Sequence, residues 1–248
     1  MRMNFLKFHP FTLFFLLIAF FTGYFKYVIY LMSLIFIHEL GHVSAGIICE
    51  WNIKKIVLLP FGGMTYFEEK LNRPVLEELF IVLLGPIYQI LFYFLLCILG
   101  FKTDLLININ YFLLIFNLLP IYPLDGAKIV LLLFEKFFSY YNSHIYIILI
   151  SLITLIINLF FYNDLLYIMI FIFLLYKVIS LREEIKDIFF KFLLERYLYR
   201  FSFRKKKNIN KLKSMKRDYY HIFKINDKLI EEKDILELYF GQIENSNT

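Results

Sequence analysis

Six apolar stretches, approximately 10–25, 27–49, 75–100, 106–134, 144–162 and 164–181, constrain this chain more than any other feature. A helix rises 1.5 Å per residue and needs roughly 20 apolar residues to cross the hydrocarbon core, and each stretch qualifies or comes close. Hydrophobic residues make up 60% of the 248, more apolar surface than one soluble domain of that length can bury. The expected fold class is an α-helical polytopic membrane protein of about six transmembrane helices. Two cysteines, Cys49 and Cys97, exclude a disulfide scaffold or a Cys-rich zinc module, and 31 Phe and 19 Tyr suit lipid-facing helices with interfacial belts. The first stretch is short and follows Arg2 and Lys7, but Phe21-Thr22-Gly23-Tyr24 offers no small-x-small cleavage site, so a retained helix is expected. The fourth is interrupted by Pro120 and Pro123, which end regular helix at membrane depth. Such a break is tolerated only inside protein or beside water.

Charge sets the orientation. Lys/Arg and Asp/Glu are balanced at ten each before residue 177, and from there to the end seventeen basic residues stand against eleven acidic ones. Six spans place both termini on one side, with Arg2, Lys7, Lys54, Lys55, Lys70, Arg73, Lys136 and the basic tail, while the opposite loops offer only Lys26 and Lys102. By the positive-inside rule both termini are cytoplasmic. The expected domains are a transmembrane domain over 1–181 and a cytoplasmic basic tail over 182–248. Between the second and third spans, two β-prone runs around Pro60-Phe61-Gly62-Gly63 predict a membrane-associated β-hairpin over about 53–67. In the tail, Arg204 to Lys207 together with Lys211, Lys213, Lys216 and Arg217 suit anionic headgroups rather than nucleic acid, because polybasic segments beside spans serve topology. Tyr219 to Ile225 alternates as a strand, Asn226-Asp227 supplies a turn and Glu231 to Phe240 is helical in period, together a small soluble α/β unit.

The chemistry sits in the second stretch. His38-Glu39-Leu40-Gly41-His42 is an HExxH: two imidazoles at i and i+4 share a helix face and can bind one metal ion, and Glu39 can take a proton from a water held there. Ionisable groups at this depth are costly and mark functional sites. Catalytic zinc wants three protein ligands and an open position. No later His stands in register, Cys49 lies about 10 Å along the helix, and no Glu stands some twenty residues on. The remaining intramembrane carboxylate is Asp125, at the broken fourth stretch. With entry near Tyr27, His38 and His42 lie about 17 and 23 Å along their helix, in the inner half of the bilayer, and Asp125 reaches the same half. Lys128, a turn further on, is expected to snorkel to the headgroups. A non-enzymatic rival, a metal transporter or a structural scaffold, would be expected to line both halves of the bilayer; His9 and His144 sit only at predicted boundaries.

The HELGH in one membrane stretch, the Asn117-Leu118-Leu119-Pro120-Ile121-Tyr122-Pro123-Leu124-Asp125-Gly126 in another and the six-span layout resemble site-2 proteases, zinc enzymes that cut substrates within or beside the bilayer. The compact sporulation-type members are the most similar. The resemblance implies one zinc per chain held by His38, His42 and Asp125, with Glu39 as general base and Asn117 positioning or polarising the substrate carbonyl. It implies that the hairpin around Phe61, Gly62 and Gly63 holds an extended substrate by strand addition. Gly85-Pro86 matches the family's Gly-Pro pattern, whereas Gln89 stands where many members carry Asn. The implied partners are the lipid bilayer, a protein substrate of the pro-sigma-factor type and membrane-embedded inhibitory regulators, in the outer forespore membrane. No stretch is long enough for a PDZ domain, and about forty residues after the basic run allow at most a short, degenerate version of the ATP-responsive CBS unit.

Overall fold

The computed structural model describes residues 6–8, 17, 20–59, 62–68, 71–159, 165–199, 201–225 and 228–246. Most of the expected first span, residues 10–16, 18 and 19, lies outside this set, as do Phe61 and the Asn226-Asp227 turn. The chain divides into two compact units, one of residues 1–69 and 77–119, the other of 70–76 and 120–248.

The first unit is built on three helices: α1 (Phe25–Ile48), α2 (Val75–Ile98) and α3 (Asp104–Leu118). Alongside them lies a small sheet of β1 (Leu6–Phe8), β2 (Ile53–Leu59) and β3 (Gly62–Phe67). Leu31, Leu34 and Ile35 of α1, at i, i+3 and i+4, share one face and close on Leu106, Ile109 and Leu113 of α3. Thr103 caps α3, its hydroxyl accepting the Leu106 N–H at 3.2 Å. Helices α1 and α2 approach so closely that a Cβ on Gly41 would fall 2.7 Å from the Leu84 carbonyl carbon, too close for any atom. Both crossing points, Gly41 and Gly85, must therefore lack side chains.

The hairpin forms as expected, but its glycines do not make the turn. Gly62 pairs with Leu59 and Gly63 with Leu58, so both belong to β3. Sheet order is β1-β2-β3, with β1 parallel to β2 through Leu6–Ile56, Lys7–Val57 and Phe8–Leu58. That strand was not expected. Its partner lies fifty residues away, and three residues carry no periodicity.

The second unit begins where Pro120 and Pro123 interrupt the fourth apolar stretch, between α3 and α4 (Asp125–Phe137); the Tyr122–Pro123 bond is cis. Then come α5 (Tyr140–Leu159) and α6 (Leu165–Leu198). The last helix was expected to end near 181 and instead runs 34 residues, because nothing between Leu181 and Leu198 breaks it and its polar half keeps Ile185, Phe192 and Leu193 on an inward face. Beyond it lies a second sheet, of β4 (Lys205–Ile209), β5 (Tyr219–Ile225) and β6 (Lys228–Glu231), and α7 (Glu232–Ser246) closes it. The start of the basic run, to which the sequence assigned no element, is strand β4, parallel to β5. Tyr140, Phe192, Met215, Phe223, Leu236 and Phe240 form the core beneath, with the Tyr140 and Phe192 rings stacked at 4.2 Å.

A buried charge network ties this unit together. Arg196 donates to Asn72 Oδ1 at 2.6 Å, to Glu232 Oε1 at 2.9 Å and to the carbonyls of Lys216, Arg217 and Tyr219. All its donors are committed, as burial of a guanidinium requires. Burial still draws Arg196 below its ordinary range, against the opposing pull of Glu232. His221 donates from Nδ1 to Glu232 and accepts the Lys216 N–H at Nε2; burial holds it below the usual imidazole range.

Among the described residues, α1, α2 and α5 are long and apolar enough to cross a membrane, by length and composition. α3, at 15 residues, is shorter because the Pro-rich break cuts it off.

Candidate metal centre

Helix α1 is apolar almost throughout, so its polar residues must be accommodated. His38, Glu39 and His42 are 4%, 5% and 8% exposed, on the same stripe as Leu34, Ile35, Ala45 and Gly46. Each has a defined partner. His42 Nδ1 lies 2.9 Å from the Ile81 carbonyl, an acceptor only, so the proton must be on Nδ1. His38 Nδ1 lies 3.1 Å from Gln89 Oε1. That amide is oriented in turn: Gln89 Nε2 donates to Asn110 Oδ1 at 3.0 Å and to the Asn110 carbonyl at 3.2 Å, which leaves Oε1 for the histidine. Both imidazoles therefore carry their protons on Nδ1 and present bare Nε2 lone pairs, which face each other at 3.1 Å. Two lone pairs at that separation repel unless a cation lies between them. Metal-binding histidines are oriented in this way, the far N–H held by a carbonyl or amide oxygen. The residues fit a divalent ion of zinc's preferences.

Glu39 lies beside them under the hairpin. Its Oε2 accepts from Thr65 Oγ1 at 2.7 Å, and a Cβ on Gly63 would stand 2.6 Å from its Oε1. Strand β3 thus crosses directly over the carboxylate, with glycine at the point of closest approach. Gly85 does the same for the imidazoles: a Cβ there would meet the His42 ring and stand 3.0 Å from His38 Nε2. Trp51 and Phe67 pack edge to face at 5.5 Å behind the strand, and a Cβ on Gly46 would approach the Phe67 ring to 3.1 Å at Cζ. The hairpin is fastened to α1 by these aromatics.

The structure brings His38, Glu39, His42 and Gly63 together. Gly62 sits at the start of β3, and Phe61 lies outside the described residues. Asn117 is half-buried in the last turn of α3. Asp125 is half-buried as the first residue of α4, where exposed backbone N–H groups favour an anionic side chain. Sequence reasoning missed Thr65, Asn110 and the Ile81 carbonyl. Polar residues within apolar stretches could have flagged Gln89 and Asn110 as a pair; nothing could have flagged a backbone carbonyl.

Residues 26–105 match the family model described as Peptidase family M50. Over 143 residues it is 36% identical to Stage IV sporulation protein FB of Bacillus subtilis (strain 168), covering 55% of this chain and 50% of that protein. Over 117 residues it is 32% identical to a zinc metalloprotease of Methanocaldococcus jannaschii, covering 43% of this chain and 34% of that protein. The chain spans half or less of the length of these curated relatives. Among solved structures, the site-2 protease from Methanocaldococcus jannaschii superposes with a TM-score of 0.52 at 24% identity, over 73% of this chain and 92% of that one, and so shares the fold.

Proposed function

We propose that this chain is an intramembrane zinc endopeptidase that hydrolyses a peptide bond near the cytoplasmic face of the membrane. The observation that carries the reading is the pair of bare Nε2 atoms 3.1 Å apart, with Glu39 alongside, inside a helix of membrane-spanning length. One zinc per chain would be held by His38, His42 and Asp125. When bound, zinc would supply Lewis acidity, polarising a carbonyl and making water acidic enough to ionise near pH 7.

The residues of the chain do the rest. Glu39 takes the proton from the attacking water and returns it to the leaving amine, and the Thr65 hydroxyl fixes which way its carboxylate faces. Asn117 positions the substrate carbonyl. A helical peptide keeps its carbonyls bonded and shielded, so the substrate must unwind to be cut. Strand β3, which opens with Gly62, ends the order β1-β2-β3 and so offers a backbone edge, and it carries Gly63 across the base. An extended substrate added there would run past Glu39, and we assign Phe61, next in sequence to Gly62, to the same substrate-holding segment.

The substrate we infer is a membrane-associated pro-sigma factor of the sporulation type, an inference supported by the sporulation name of the Bacillus relative. Membrane-embedded regulators and residence in the outer forespore membrane, both termini cytoplasmic, belong to the same proposal. The test is co-expression with a candidate pro-sigma factor, comparing wild type with Glu39→Gln. Loss of a general base costs about 10²–10⁴ in rate, so the variant should keep its metal and show no processing. Processing at the wild-type rate would overturn the mechanism.

A further inference from the structure

The basic tail is not a free appendage. Within the second unit, the Tyr140 N–H that opens α5 donates to the Met215 carbonyl at 2.9 Å, Lys216 Nζ donates to the Phe137 carbonyl, and Lys213 lies over the Tyr141 ring at 4.6 Å. The lysine-bearing surface is thereby fastened to the end of a helix long enough to cross a membrane. The same holds at the start of α2, another such helix, where Asp218 accepts the Val75 N–H at 3.2 Å. Where these helix ends meet the tail there is a cavity of about 110 Å³. Val75, Leu76 and Tyr219 give it an apolar wall, and Lys136 and Lys205 stand at it as exposed cations. Its two carboxylates are already engaged, Glu135 with Arg217 at 3.0 Å and Asp218 with the Val75 N–H. With Glu135 committed to Arg217, the two lysines face one remaining carboxylate, Asp218, and a net positive charge is left at the cavity.

Around the cavity the pattern continues. Lys206 and Lys207 extend the exposed row along β4, and Phe137 and Phe138, 66% and 44% exposed, stand next to Lys136. Burial first, and then Lys207 beside it, hold the Lys216 ammonium below its ordinary range, so this surface packs cations against one another. Water alone would serve such lysines as well. What water does not explain is exposed phenylalanine beside them at the end of a spanning helix, the pairing found where a protein meets headgroups and acyl chains together.

We propose that this corner binds the headgroup of an anionic phospholipid, its phosphodiester lying between Lys136 and Lys205, with the acyl chains along Leu76, Phe137 and Phe138. Each lysine near an anionic surface adds attraction that salt screens within a Debye length of about 10 Å at 0.1 M. The proposal concerns lipid, not the peptidase centre, and stands or falls apart from it.

The experiment uses the full chain reconstituted in phosphatidylcholine bilayers, with the relative association of spin-labelled phosphatidylglycerol over spin-labelled phosphatidylcholine as readout. The wild type should favour phosphatidylglycerol at least threefold at low salt and lose most of that preference in about 1 M salt. Lys136→Gln with Lys205→Gln should bring the ratio close to one, and the paired Lys→Arg variant should retain it. A wild-type ratio of one overturns the proposal, as does an unchanged ratio in the Gln pair. Equal loss in the Arg pair would mean packing rather than charge, and tight capture of an acidic peptide without lipid preference would mean a protein-binding face; either result also overturns it.

Discussion

A histidine binds a metal only through a nitrogen that carries no proton, so the placement of one hydrogen decides whether HExxH is a site or only a pattern. In this chain two acceptors decide it, the Ile81 carbonyl for His42 and Gln89 Oε1 for His38. The Gln89 amide is in turn prevented from flipping by Asn110. Gln89→Ala removes the acceptor and frees the His38 ring to rotate and to change tautomer. Such outer partners are worth about 10–100-fold in metal affinity, so chelator competition should show zinc held that much more weakly by protein that remains folded. Affinity equal to wild type would mean that His38 needs no orientation. The two histidines and Glu39 were legible in the sequence because i, i+4 spacing is local geometry. Their partners were not, because they lie 26 to 51 residues away and one of them is backbone.

At the scale of the element, the hairpin shows what a glycine pair can hide. Gly62-Gly63 reads as a turn because glycine tolerates the left-handed region, but among the described glycines only Gly23 and Gly100 have positive φ. Gly63 is needed for proximity: there is no room for a methyl group between β3 and the Glu39 side chain. Alanine at this position must push the strand or the carboxylate aside. We expect Gly63→Ala to lower cleavage at least tenfold while leaving zinc content unchanged, since the three atoms nearest to the added methyl group all belong to Glu39; metal analysis beside a processing assay checks it. Full activity would show that the close approach is dispensable, and loss of zinc would show that the hairpin supports the ligands as well as the base. Strands β1 and β4 escaped sequence reading for a related reason. Both are parallel partners of a distant strand, and in β4 the charge of Lys205, Lys206 and Lys207 masked the aliphatic stems and aromatic neighbours, Tyr219 under Lys205 and Tyr220 under Lys206, that let lysine stand in a sheet.

For the molecule as a whole, hydropathy located the helices α1, α2 and α5 to within a few residues but gave no sign that α6 continues to Leu198. The expected boundary at 181–182 falls inside α6, because continued backbone pairing and one apolar face are enough to carry a helix from an apolar into a polar stretch without a break. The interruption by Pro120 and Pro123 was legible, and it separates α3 from α4. The proposed peptidase activity depends on the first residue of α4, just past that interruption: the carboxylate of Asp125 must complete the ligand set that His38 and His42 begin. Zinc stoichiometry of the purified full-length protein tests this most directly, comparing wild type with Asp125→Asn. About one zinc per chain in the wild type, falling to a small fraction of that in the variant while the protein stays folded, is the predicted result; equal zinc in both would contradict it.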